Sequence, residues 1–294
     1  MRAHLHDIQE EIHPEGTIYE RGMFISHNRS WEIGLVETRM GAARAAFEAE
    51  RALDYFKPNV ILFVGVAGGL KTVKIGDVVV ASKIYGYESG KVGVSFLIRP
   101  EVGISTYRMI QRAQAVARST SWLSRIQPGP PQSLPKAFVA ALAAGEKVVT
   151  SNSSDTWKLL RQSYEDAIAV EMEGYGFLQA VHGNRRVEAL VVRGISDLIE
   201  GKSEADASGA QEIAACHASA FAFEVLSQLT IEELANPTSL NADSPSSMKP
   251  QQPLNTSQPQ IHQKTRSGDI IAPIGDHHHI TINHTQRDYK EDRS

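Results

Sequence analysis

Two pairs of polar residues follow apolar stretches and carry the side chains best suited to chemistry. Glu171 and Glu173 stand two residues apart, and Ser196 and Asp197 come shortly after the apolar segment 189–192. Residues two apart in an extended chain share one face. An ionised carboxylate only accepts hydrogen bonds, so Glu173 can hold two neighbouring hydroxyl groups, such as a ribose diol. We expect a helix start to keep Glu173 ionised, while Asp197 is a candidate acid or base.

A third candidate is the strand end at residues 65–69, GVAGG. Small residues let the backbone approach a ligand and leave N–H groups available. The segment is neither a Walker loop nor a GxGxxG fingerprint. Each candidate also has a purely structural interpretation: a tight turn for the glycines, a helix cap for Glu173, and an N-cap or turn for Asp197.

The elements that must position these groups alternate between strands and helices. Short apolar runs with β-branched residues predict strands buried on both faces, and amphipathic stretches predict helices. Strands are predicted at 60–67, 77–81 and 188–193, helices at 41–56, 107–123 and 212–229, and a hairpin at 19–24 with 31–37. This alternation indicates an α/β sheet with helices on both faces. Ligands bind such sheets at the carboxyl ends of the strands.

The composition excludes several classes of protein. The 294 residues include 30 Lys and Arg against 34 Asp and Glu, and a net charge of −4 argues against a nucleic-acid partner. A single cysteine, Cys216, excludes an internal disulfide framework and a cysteine-based zinc site, and it fits a cytoplasmic location. No apolar run reaches the roughly 20 residues of a membrane span, and residues 1–16 lack the core of a signal peptide. We expect no cofactor, no metal and no membrane partner.

The chain divides into a globular domain at 1–232 and a low-complexity tail at 233–294. From Asn236 the sequence is rich in Pro, Ser and Gln, and such a stretch is expected to stay mostly disordered. Within it, the β-prone segment 268–284 could pair with copies of itself, although a frayed tail is the simpler interpretation. The three histidines at 277–279 lack the converging ligands of a metal site.

Four motifs in order resemble those of the nucleoside phosphorylase superfamily, most closely the 5′-methylthioadenosine/S-adenosylhomocysteine nucleosidases. They are VGVAGGL at 64–70, IGDVVVA at 75–81, AVEME at 169–173 and VRGISD at 192–197. The resemblance covers about residues 16–229 and implies a single three-layer domain with a central mixed, twisted sheet. It implies hydrolytic cleavage of the N-glycosidic bond of an adenosine-type purine nucleoside, with release of the base, by a homodimer.

The resemblance also implies roles for individual residues. Glu173 would bind the ribose 2′- and 3′-hydroxyls. Asp197, placed by Ser196, would protonate the leaving purine, and burial would help it keep its proton near neutral pH. Tyr85 lies in a segment, 85–90, that reaches the neighbour's pocket in dimeric members. The remaining substrate-binding positions are Met172, Ala67, Gly68, Val148 and Val149.

Departures from the family pattern leave alternatives open. Phe63 stands where several phosphorylases carry Arg, which favours water over phosphate as the attacking group, although Arg39 and Arg44 keep phosphorolysis possible. Val66 replaces a usual Ser or Thr. Val148 replaces an aromatic residue that often stacks on the base, which leaves the preferred base open.

The largest departure concerns the front of the domain. Residues 1–5 read as the helix that follows the family's opening strand. The sequence therefore departs from the family in that strand and in its water-activating glutamate, and neither Glu10 nor Glu11 takes that role. A start assigned too far downstream is the favoured explanation. The other explanation is that the protein lacks this strand and this glutamate. It would then be a nucleoside-binding signalling or effector module whose catalysis is lost or conditional.

Overall fold

The computed structural model describes residues 1–27, 29–94, 96–129, 131–184, 187–199, 209–230 and 234, together with the backbone of 277–284. We predicted that the tail, residues 233–294, is mostly disordered. Apart from 234 and 277–284, its residues lie outside the described set.

Strands and helices alternate through most of the described chain. The helices are α1 (Ala42–Phe56), α2 (Tyr107–Arg118), α3 (Asp155–Ser163), α4 (Gly174–His182) and α5 (Ala210–Gln228). The strands are β1 (His6–Ile12), β2 (Ile18–Ser26), β3 (Arg29–Arg39), β4 (Val60–Gly69), β5 (Val78–Gly86), β6 (Gly90–Val92), β7 (Phe96–Ile98), β8 (Glu101–Ile104), β9 (Ala137–Ala144), β10 (Ala167–Glu171), β11 (Glu188–Leu198) and β12 (His277–His284). None of the described helices combines the length and apolar character that crossing a membrane requires.

One large mixed sheet organises the domain. Its strands follow the order β1-β2-β3-β12-β4-β10-β9-β5-β11, with β8 added beside β5. Strand β11 also pairs with β4 in parallel, so β4, β10, β9, β5 and β11 form a closed ring. The hairpin β2–β3 is antiparallel, with Glu20 opposite Leu35. The ring brings the ends of β4, β10 and β11 close together.

Strand β4 shows why the fold has three layers. Leu62 and Val64 belong to one apolar cluster, which includes Phe221 of α5. Ile61 and Phe63 belong to a second cluster, built with α1 and α4. Successive side chains of a strand point to opposite faces, so an uninterrupted apolar run is buried on both sides. The predicted α/β class with helices on both faces is confirmed.

The front of the chain differs from its prediction. Only Arg2–His4 form a short 3₁₀ helix, and residues 6–12 form strand β1, which pairs antiparallel with β2 at the edge of the sheet. The expected helix at the start is therefore wrong. Strand β1 is mostly exposed, and its polar sequence lacks the apolar alternation that identifies a half-buried strand. It occupies the edge and not the centre of the sheet.

A strand from the far end of the chain lies in the middle of the sheet. Strand β12 runs antiparallel to both neighbours, with Ile280 opposite Val36 of β3 and opposite Phe63 of β4. The β-prone character of this segment was visible in the sequence. Its place in the sheet was not visible, because the sequence of a segment does not show which distant strands it pairs with.

Candidate active site

A cleft opens where β4, β10 and β11 end. Its walls include residues from four of the predicted groups: the glycine strand end, the two glutamates, the Ser-Asp pair and the pair Val148 and Val149. The side chains and backbone atoms that line it belong to Met40, Val66, Ala67, Gly68, Lys147, Val148, Val149, Val170, Glu171, Met172, Glu173, Ser196, Asp197 and Gln211. Every predicted site residue except Tyr85 lies on this cleft.

Glu171 is the residue that terminates the strand and starts the next helix. Its carboxylate accepts the backbone N–H of Gly174 at 2.8 Å and that of Glu173 at 3.1 Å, which are the first free amides of α4. Exposed N–H groups at a helix start favour a negative charge. The capping function considered for Glu173 therefore falls to Glu171.

Arg193 joins the two glutamates from β11. Its Nη2 atom lies 2.5 Å from Glu171 Oε2 and 3.5 Å from Glu173 Oε2, and its side chain is fully buried. The guanidinium carbon lies 4.3 Å from the ring centroid of Phe63, a cation–π arrangement. Burying a guanidinium is costly unless it is paired, so the two carboxylates and Arg193 form one electrostatic unit.

Glu173 is buried at the cleft wall and is held by the backbone after β3. Its Oε1 atom accepts the N–H of Gly41 at 3.1 Å. Burial, and then repulsion from Glu171, raise the pKa of Glu173 to about 7, although Arg193 and the N–H groups of Gly41 and Met172 act in the opposite direction. The helix amides that we expected to keep Glu173 ionised are received by Glu171 instead.

Ser196 and Asp197 lie at the end of β11, where they face the glycine strand end. Ser196 Oγ donates a hydrogen bond to Asp197 Oδ2 at 2.9 Å. The other carboxylate oxygen, Oδ1, is the nearest atom to the space beside Gly68, where a Cβ would lie 3.2 Å from it. A larger residue at 68 would crowd this oxygen. Glycine therefore keeps Asp197 accessible from the cleft.

The loop after β9 forms the other wall. Val148 is 48% exposed, and Val149 is buried in an apolar cluster with Tyr87 and Val170. Lys147 Nζ pairs with Glu88 Oε1 at 2.7 Å. An exposed aliphatic surface beside three carboxylates suits a flat, apolar ring joined to a polar group.

Tyr85 lies away from this cleft. Its hydroxyl donates to Asp166 Oδ2 at 3.0 Å, and its ring packs near Tyr164. Arg39 and Arg44, considered as phosphate ligands, are not among the residues lining the cleft. Phe63 is fully buried under Arg193, so its position could not offer a cation to a ligand without disturbing the core.

Several site residues escaped the sequence analysis. Arg193 was part of a quoted motif, but a charged residue inside an apolar strand gave no sign of the two glutamates it contacts. Met40 and Gln211 reach the cleft only because the topology brings the end of β3 and the start of α5 to it. Among the described residues, no group of three or more His, Cys, Asp or Glu side chains is placed to hold a metal ion.

Comparison with solved structures finds the same architecture in nucleosidases. The fold is similar to the 5′-methylthioadenosine/S-adenosylhomocysteine nucleosidase of Colwellia psychrerythraea 34H in complex with adenine, with 21% identity and a TM-score of 0.62 over 78% of this chain and 89% of that chain. The corresponding enzyme of Neisseria meningitidis in complex with methylthio-immucillin-A matches at 19% identity and a TM-score of 0.62, over 78% and 93% of the two chains. The futalosine hydrolase of Helicobacter pylori strain 26695 matches at 21% identity and a TM-score of 0.60, over 76% and 89%.

These identities are low, so the likeness to solved structures establishes the fold alone. The sequence itself matches the phosphorylase superfamily over residues 2–228, most of its length. The order of the four motifs, the closed ring of strands and this match agree. The chain belongs to the phosphorylase superfamily.

Proposed function

We propose that the chain is a purine nucleosidase that hydrolyses the N-glycosidic bond of an adenosine-type nucleoside and releases the base. The observation that carries the proposal is the convergence of Glu173 and Asp197 on one cleft. One carboxylate is suited to hold a diol and the other to move a proton. The similar solved nucleosidases support the same type of substrate.

Glu173 is proposed to bind the ribose 2′- and 3′-hydroxyls. Hydroxyl donors stabilise the ionised form of a carboxylate, so substrate binding would draw Glu173 into the charged state. The Gly41 amide on Oε1 and the guanidinium of Arg193 beside Oε2 fix the orientation of the group. A negative charge under the sugar also favours an oxocarbenium-like transition state.

Asp197 is proposed to protonate the purine as the glycosidic bond breaks. Ser196 donates to Oδ2, and we assign the transferred proton to the other oxygen, Oδ1, which lies beside Gly68. Transfer of that proton lets the base leave as a neutral molecule. A positioned acid of this type contributes on the order of 10²–10⁴-fold in rate.

Water is the favoured attacking group. Phosphate binding requires arginine or lysine, and Lys147 is the one such residue among the described residues lining the cleft. Its ammonium is already paired with Glu88. Glu10 and Glu11 lie in the edge strand β1, where Glu11 accepts from Arg21 and Tyr55, so they do not activate the water.

The second candidate is a nucleoside-binding module with lost or conditional catalysis. It is favoured by the engagement of Glu171, whose carboxylate is bound by Arg193 and by the first amides of α4 and so is not placed to act as a separate base for water. Without a separate base, turnover would be slower by on the order of 10²–10⁴-fold.

A substrate panel distinguishes these functions. The full chain is incubated with methylthioadenosine, S-adenosylhomocysteine, adenosine, inosine and guanosine, each with and without phosphate, and products are separated by chromatography. We expect free adenine and free sugar, independent of phosphate. Sugar 1-phosphate as product would indicate phosphorolysis, and calorimetric binding without base release would indicate the binding module.

We also propose that the chain acts in the cytoplasm as a homodimer. Tyr85 lies off its own cleft, and the nearby strands β6 and β7 expose Val92, Phe96 and Leu97. Light scattering coupled to size exclusion tests the dimer. We expect a mass twice that of the 32.2 kDa chain, and the mass of a monomer would contradict the proposal.

A further inference from the structure

One extended strand, β12, lies in the slot between β3 and β4. Each of these strands has its other edge occupied: β3 by β2, and β4 by β11. In the described part of the chain, β3 and β4 do not pair with each other. Without an occupant, the N–H and C=O groups along two facing edges in the middle of the sheet would lack partners, which is costly when buried.

Strand β12 fills this slot over its whole length. Residues 277–284 pair with Arg39 through Glu32 on one side, and 279–283 pair with Val64 through Val60 on the other. The register places Ile280 beside Val36 and Phe63, and Ile282 beside Gly34 and Ile61. Val36, Ile61 and Phe63 are buried core residues, so positions 280 and 282 of the strand are in register with the core of the sheet.

The inserted strand supports both walls of the cleft. On the β3 side its pairing ends at Arg39, directly before Met40, which lines the cleft, and Gly41, which binds Glu173. On the β4 side its pairing ends at Val64, directly before the strand end that faces Asp197. Both walls are therefore continuations of edges that β12 holds together.

We propose that residues 277–284 are a donor strand, which binds between β3 and β4 of its own chain and thereby assembles the cleft. The connecting residues 231–276 can extend to at most roughly 150 Å, which is ample to reach the slot. Tethering raises the local concentration of a segment to the order of millimolar. At micromolar protein, the strand of the same chain is therefore favoured over that of a second copy.

Disulfide trapping in the full chain tests the register directly. In a Cys216→Ala background, Glu37→Cys is combined with His279→Cys, its partner in the ladder. The matched control combines Glu37→Cys with Asn283→Cys, which is four residues out of register, or about 13 Å along the strand. Disulfides need Cα atoms within about 7 Å.

Mild oxidation should close the first pair within one chain and leave the control reduced, as judged by non-reducing electrophoresis and peptide mass. Failure of the first pair to close, or equal closure of both, would overturn the donor strand. Closure between two chains would overturn its assignment to the same chain and indicate exchange of the strand between copies.

Thr281→Pro tests the effect on the cleft. Proline removes a ladder donor from a strand paired on both sides, whereas Ser247→Pro, in a stretch that already contains prolines, serves as the control. We expect Thr281→Pro to lower the Tm by at least about 5 °C and to weaken nucleoside binding at least tenfold, with Ser247→Pro unchanged. Equal behaviour of the two variants would overturn the proposal. Because trapping and Tm do not depend on turnover, the donor strand can be judged even if the proposed hydrolysis fails.

Discussion

Arg193 Nη2 lies 2.5 Å from Glu171 Oε2 and 3.5 Å from Glu173 Oε2, so one buried cation lies beside two buried carboxyl groups. The three side chains come from β10, the start of α4 and β11. Their ion pairs therefore join the elements that form the cleft, and the charge state of Glu173 depends on them.

Removal of the Arg193 cation should destabilise the protein. Arg193→Met removes the cation that pairs with the buried carboxylate of Glu171, and we expect a loss of about 3–5 kcal/mol in the free energy of unfolding, measured with urea. The control is Arg21→Met, since Arg21 is 45% exposed and pairs with Glu11 and Glu32. Its loss should stay within about 1 kcal/mol. Equal losses in the two variants would contradict the account of Arg193, Glu171 and Glu173 as one electrostatic unit.

The stability contribution of Glu173 should fall as pH rises. Its pKa is raised from 4.5 to about 7, so the native state holds a proton that the unfolded state has lost between these values. The contribution is full below pH 4.5 and is lost as pH rises through 7. The unfolding free energy of wild type relative to Glu173→Gln should decline across that window in urea titrations. A difference that rises with pH would refute the assignment.

Nucleoside binding should show the opposite trend. The hydroxyls of the sugar donate to the ionised carboxylate, so affinity should increase as pH passes about 7, the pKa of Glu173. Calorimetry with a non-cleavable nucleoside analogue measures this. Glu173→Gln should bind about 10- to 100-fold more weakly, the equivalent of a charged hydrogen bond, and should lose the pH dependence. An unchanged pH profile in the variant would show that another group titrates.

Gly68→Ala should impair turnover without unfolding the protein. Its Cβ would lie 3.2 Å from Asp197 Oδ1, so it would crowd the oxygen proposed to carry the proton. Gly183→Ala is the control, because its Cβ would make an ordinary contact of 3.7 Å. We expect kcat to fall at least tenfold for the first variant and to stay unchanged for the second, with similar Tm values. Equal kcat values for the two variants would show that Oδ1 of Asp197 takes no part in the reaction.

Val148→Phe should strengthen binding of the base. Val148 is 48% exposed on the cleft wall, where an aromatic ring could stack on a purine. Aromatic pairs contribute about 0.5–1.5 kcal/mol beyond the area they bury, so affinity should rise about two- to tenfold. Ile12→Phe is the control, because Ile12 is 61% exposed at the end of the edge strand β1 and does not line the cleft. If both substitutions alter adenine binding equally, Val148 is not a base contact.

The predictable part of the structure consists of elements with local signals. Strand β4 was predicted over 60–67 and spans Val60–Gly69, because a strand buried on both faces carries an unbroken apolar run. Strand β11 extends beyond its predicted end to Leu198 and so includes Ser196 and Asp197. The relative placement of these two strand ends followed from the general rule for α/β sheets.

The missed features depend on partners distant in sequence. Arg193 contacts Glu171 only because the fold brings β10 and β11 together. Glu171, and not Glu173, accepts the amide of Gly174 at the start of α4, and the sequence does not show which of the two glutamates does so. Strand β1 is a polar edge strand, and its sequence lacks the alternation of apolar and polar residues that would predict a strand. The insertion of β12 pairs residues more than 200 positions apart, a relationship that composition and periodicity cannot show.

The most direct test of the proposed function is single-turnover release of adenine from methylthioadenosine by the full chain, compared with Asp197→Asn. The account predicts that the wild-type protein releases adenine and free sugar without phosphate, and that Asp197→Asn binds the nucleoside with similar affinity but releases base at least about 10²-fold more slowly. Equal release by the two proteins, or none by the wild type despite binding, would contradict it.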